Sequence, residues 1–118
     1  MAVFLDARIP LRFAGVDQAG PAVAWLIQGD APAPPHAPVA RFVLPDRPPS
    51  HPVDCACCAP RGPVADALSR LFLARARNEL AFFRQVMAVP ADAAGREAIV
   101  AALRDDPLLA GRFRLAVD

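Results

Sequence analysis

Proline does most to limit what this chain can fold into. Pro32, Pro34, Pro35, Pro38, Pro45, Pro48, Pro49 and Pro52 crowd residues 31–52. Each lacks a backbone N–H and holds φ near about −65°, so this stretch cannot be helical and favours extended or polyproline II backbone. Only Val39-Ala40-Arg41-Phe42-Val43-Leu44 escapes, as a strand between two stiff connectors.

On either side the pattern changes. Pro10-Leu11-Arg12-Phe13-Ala14 and Ala22-Val23-Ala24-Trp25-Leu26-Ile27 are short apolar runs bounded by Gly and Pro, which reads as strands. The second is almost continuously apolar, as in a strand buried on both faces. Pro63 sits where a helix begins, at its favoured first position. Val64, Leu68, Leu71 and Phe72 then follow at helical spacing, with Arg70, Arg75 and Arg77 pointing elsewhere. This helix is expected to fade near Glu79–Phe82. Phe83 to Val89 reads as a strand stopped by Pro90. Asp92 can cap a second helix with Ile99 and Leu103 on its buried side, and Asp105-Asp106-Pro107 ends it. Arg112 to Val117 alternates as a last strand would. Strand, helix, strand, helix, strand predicts an α/β fold: a small, mostly parallel sheet with helices packed on it.

With 118 residues, 55% hydrophobic and 21% charged, the chain suits one small domain with enough apolar material for a core. Within residues 1–118, 1–53 form the proline-rich strand and loop region and 54–118 the helix-containing region. No apolar run is long enough to span a membrane. Met1-Ala2-Val3-Phe4-Leu5-Asp6 turns acidic too soon for a secretory signal. The net charge of +1 provides no field for nucleic acid. Every basic residue is Arg; Lys, Thr and Tyr are absent. Lysine-dependent chemistry, such as a P-loop phosphate grip or a Schiff base, is therefore excluded.

The chemistry-bearing feature is Cys55-Ala56-Cys57-Cys58, which holds all three cysteines. An odd, clustered set does not form a disulfide framework, and without a signal peptide it points to a reducing cytoplasm. Three thiolates can converge on one soft ion. Zinc needs a fourth ligand: His51 is the best local candidate, with Asp54, His36, water or a second chain as the others. Cu(I), which needs only two sulfurs, competes. A helix start at Pro63 would lower the thiol pKa values, favouring metal binding and thiol reactivity alike. Cys55 and Cys58 also form a C-x-x-C pair, so a redox role stands beside metal binding, and buried, merely packed cysteines are the bland reading.

Other residues have bland readings too. His36 reads as a solvated loop residue and Trp25 as core. Arg61 and Gly62 fit an anion site or a simple turn. Arg70, Arg75, Arg77 and Arg84 fit a partner surface or a solvated helix face. Asp105 and Asp106 read as a helix end rather than a catalytic pair.

Asp54-Cys55-Ala56-Cys57-Cys58-Ala59-Pro60-Arg61-Gly62 resembles the Gly-Cys-x-Cys-Cys-x-x-Arg-Gly segment of the CobW family of metallochaperone GTPases. The resemblance runs over about residues 54–118. It takes in the Leu- and Arg-rich helix from Ala67, the strand and helix from Met87 to Leu103, and the run from Asp106 to Leu115. It implies a shortened, degenerate P-loop GTPase-like domain that keeps the metal loop. Arg8 to Gly15 faintly echoes that family's first strand. The nucleotide machinery does not carry over: without Lys or Thr, neither the P-loop nor the guanine-reading Asn-Lys-x-Asp motif can exist. Val89-Pro90-Ala91-Asp92 replaces Glu-Thr-Thr-Gly, so the family's acid beside magnesium and the attacking water is missing.

The expectation is a non-catalytic cytoplasmic metal-binding protein. Cys55, Cys57, Cys58 and His51 hold zinc, with no nucleotide, nucleic acid or membrane involved; thiol redox activity stays open. The alternative is a degenerate interaction or regulatory module that pairs with itself as a homodimer, or with a true CobW-type GTPase, its cysteines idle.

Overall fold

The computed structural model describes residues 7–13, 22–44 and 62–116. The elements run β1 (Ile9–Phe13), β2 (Val23–Gln28), β3 (Val39–Phe42), α1 (Pro63–Ala76), β4 (Gln85–Val89), α2 (Ala93–Asp105), α3 (Pro107–Arg112) and β5 (Phe113–Leu115). The five strands form one sheet in the order β3-β2-β4-β1-β5. All four pairings among the described residues are parallel, in line with the expected sheet. Parallel neighbours need long crossovers, and α1 and α2 with α3 supply the two that follow β3 and β4.

Strand alternation explains the core. Ile9 and Leu11 of β1, Ala24 and Leu26 of β2, Ala40 and Phe42 of β3, Val86 and Ala88 of β4 and Phe113 of β5 share one buried cluster with residues of all three helices. Val64, Leu68 and Leu71 of α1 and Ile99, Leu103 and Leu109 of α2 and α3 meet them. A fully buried Leu such as Leu68 contributes about 1.5–3 kcal/mol relative to exposure. Val23, Ile27 and Met87 are also buried but lie outside that cluster, on the other sheet face. The near-continuous apolar reading of β2 reflects its place between β3 and β4 with both faces occupied by apolar side chains.

Local signals set the element ends. Pro63 is the first residue of α1, as its lack of an N–H favours. The helix stops at Ala76, earlier than the expected fade near Glu79–Phe82. Asn78 turns the chain into the left-handed region at φ 60°, and Glu79 N–H returns to Ala74 O at 2.8 Å. This is an asparagine-based Schellman-type stop, and apolar spacing alone did not show it. β4 starts at Gln85 rather than Phe83; Phe83 is fully buried ahead of the strand.

Asp105-Asp106-Pro107 ends α2, as expected, and also starts a further helix, α3. Asp106 Oδ1 accepts from Leu108 N and Leu109 N at 3.0 and 3.2 Å, and Pro107 takes the first helical position. Trp25, read as core, is only half-buried. It shares a cavity of about 250 Å³ with His36 and Phe82.

Candidate functional site

The four candidate metal ligands, Cys55, Cys57, Cys58 and His51, lie outside the described residues, as do Asp54 and Arg61. The segment that carries them is held between two described anchors. On one side β3 ends with Phe42 buried and Val43 71% exposed. On the other, Gly62 is the N-cap of α1 with φ 98° and ψ 158°. That φ favours glycine and lets the chain turn sharply into the helix.

Gly62 gives α1 no side-chain cap. Its carbonyl accepts from Asp66 N at 3.0 Å, and Pro63 has no N–H to satisfy. The first turn therefore presents its positive dipole end with no capping acceptor from the N-cap residue. Val64 and Ala65 are buried there. With Ala98, Ala101 and Ala102 of α2 they line a cavity of about 400 Å³, edged by Asp105, Asp106 and Pro107. Asp105 is already engaged by Arg104, whose Nε lies 2.9 Å from Oδ1. That hydrogen bond, and the guanidinium charge behind it, hold the Asp105 carboxyl below the usual carboxylate range.

His36 is among the described residues. It is exposed, at φ 66°, in the loop after β2. Among the described residues no group of three His, Cys, Asp or Glu side chains could hold a metal ion.

The turn after β4 has a structural use. Asp92 Oδ1 accepts from Gly95 N at 2.8 Å and so caps α2. Gln28, at the end of β2, accepts from Ala91 N through Oε1 at 2.7 Å and donates through Nε2 to Asp92. Gly95 leaves room for that carboxamide, which a Cβ would overlap. The Asp92 cap was legible in the sequence; the part played by Gln28, 64 residues away, was not.

Helical spacing alone places Arg75 with Arg70 and Arg77, on a partner surface or a solvated face. Its Nε instead donates to Phe83 O at 2.8 Å, and its guanidinium stacks 4.4 Å from the Phe82 ring centre. Arg70, Arg77 and Arg84 are exposed. No helix among the described residues is long and apolar enough to cross a membrane. The chain matches no protein-family model, and no curated protein or solved structure is significantly similar to it.

Proposed function

We propose that this is a non-catalytic cytoplasmic metal-binding protein that holds zinc through Cys55, Cys57 and Cys58, with His51 as the fourth ligand. The observation that carries the reading is three thiols within four residues, with an imidazole four residues before the first. A Cys₃His set fits a tetrahedral ion of borderline softness, and a closed four-ligand shell suits holding a metal rather than turnover. Cu(I) is the competing cargo.

Two features of the fold support this reading. The cysteine segment joins β3 to α1, so both its ends are fixed by elements of the core. Cys58 lies four residues before the Gly62 N-cap, and the dipole end of α1, where glycine supplies no side-chain cap, favours nearby thiolates over thiols. The order of strand, cysteine segment, helix, strand, helix and strand supports kinship with a CobW-type domain that lacks nucleotide binding. On that kinship the protein stores a metal or passes it on, without a nucleotide switch to drive transfer.

The test is zinc stoichiometry on protein purified under reducing conditions. Wild type should carry about one zinc per chain, and Cys57→Ser should lose it. His51→Ala should weaken binding and leave the thiols able to compete for metal. No zinc in the wild type, under conditions that load a control zinc protein, rejects the proposal. GTP should not bind, because the chain has no lysine for a P-loop.

A further inference from the structure

A second surface stands independently of the cysteines. Among the described residues β3 is an outer strand of the sheet. Its bonds to β2 use alternate residues: Pro38 O accepts from Trp25 N at 2.8 Å and Phe42 O accepts from Gly29 N at 2.9 Å. By that alternation the N–H and C=O groups of Val39, Arg41 and Val43 point away from the sheet.

Below this edge, between β3 and α1, runs a groove of about 600 Å³. Ala40, Leu71, Ala74 and Leu80 give it an apolar floor, and Val39 and Arg41 border it along the strand. The Arg41 guanidinium is committed to Gly29 O and Ala31 O, at 2.9 and 2.7 Å. Arg70, on the α1 wall, is exposed and takes part in no hydrogen bond or ion pair among the described residues. Among the described residues no acidic side chain lines the groove.

We infer that the β3–α1 groove docks an extended acidic segment of a partner protein, which adds to β3 as a sixth strand. An outward edge supplies main-chain hydrogen bonds, which give affinity. The apolar floor takes every second side chain, which sets register. Arg70 selects a carboxylate and disfavours a cationic segment. Both charged side chains that border the groove among the described residues are cationic; Arg41 is held by two carbonyls, so Arg70 is the one placed to meet a carboxylate.

The experiment uses the full chain and a dye-labelled hexapeptide of alternating Glu and Val, acetylated and amidated at its ends, against the same peptide with Lys for Glu. The Glu peptide should bind about fivefold more tightly, the size of a favourable exposed charge contact. Arg70→Glu, a surface change, should reverse that preference. Amide shifts on binding should centre on Val39, Arg41 and Val43. Val39→Pro, which removes one outward donor, should abolish binding while the far-UV spectrum is kept; if that variant does not fold, the Arg70→Glu result decides. No binding at millimolar peptide, equal binding of both peptides, or a preference unchanged in Arg70→Glu overturns the inference. So does self-association that Arg70→Glu dissolves, which assigns the groove to a second copy. Cys57→Ser should bind the Glu peptide as the wild type does, so failure of the zinc proposal and failure of this one are separable.

Discussion

The Gln28 carboxamide reaches across from the end of β2 to Asp92, the residue that caps α2, with Nε2 3.3 Å from Oδ1. Its other end accepts from Ala91 N–H at 2.7 Å. One neutral side chain thus ties together the end of a central strand, the turn after its neighbour and the start of a helix. The Asp92 carboxylate is committed to Gly95 N–H and Gln28.

Asp92→Ala should cost about 1 kcal/mol, the usual value of an N-cap, and Asp92→Asn much less, since the amide oxygen can still accept. Gln28→Ala should cost a similar amount by removing the partner of Ala91 N–H. Because the two side chains share a bond, the double variant should be less damaged than the sum of the singles, by about 0.5 kcal/mol. Urea unfolding of the four proteins checks this. Strict additivity would mean that the Gln28–Asp92 contact carries no energy.

Gly95→Ala separates propensity from packing. In a helix interior Ala is favoured over Gly by about 1 kcal/mol, yet here the new methyl would overlap the Gln28 carboxamide. Displacing the carboxamide gives up its bonds to Ala91 N–H and Asp92, so the substitution should destabilise the wild type. In a Gln28→Ala background the space is open, and the same change should stabilise by about 0.5–1 kcal/mol. The reversal of sign is the readout. The same sign in both backgrounds refutes the account.

What the sequence disclosed and what it hid follow from the range of the interactions. Pro63 at the start of α1 and Asp92 at the start of α2 act on their own first turns, so both were legible. The alternation of strands and helices disclosed a parallel sheet, and the apolar run around Leu26 a strand buried on both faces. Asn78 stopping α1, Asp106 starting α3, Gln28 meeting Asp92 and Arg75 stacking on Phe82 were not legible. The first two are single-residue decisions about backbone shape, made against apolar spacing that would have tolerated either outcome. The other two depend on tertiary approach. The cysteine set is legible as chemistry through its composition and spacing, and those say nothing of the path its backbone takes.

The Arg104–Asp105 pair gives a pH prediction. Hydrogen bonding and charge from Arg104 depress the Asp105 carboxyl in the folded state. A depressed folded pKa means that the pair stabilises above the unfolded carboxyl's pKa, and that this is lost as pH falls through the lower folded value. Both side chains are exposed, so the effect is small and salt should shrink it. An NMR titration should find Asp105 below the ordinary carboxylate range in the wild type. Arg104→Gln should return it toward that range, and unchanged titration would refute the assignment of cause.

Arg75 and Arg70 lie five residues apart on one helix and should answer differently to the same change. Arg75 donates to Phe83 O and stacks on Phe82, a ring that is itself 58% exposed. Arg75→Ala should cost about 1–2 kcal/mol despite the helix preference for alanine, because a hydrogen bond and a cation–π contact go together. Arg75→Lys should recover only part of it, since an ammonium lacks the planar face that stacks while its neighbouring N–H donates. Arg70→Ala should stay within about 0.5 kcal/mol of wild type, as expected for an exposed side chain with no partner among the described residues. Thermal and urea unfolding of the three variants decide the matter. Equal, small effects at both positions would mean that the Arg75 geometry contributes no net stability.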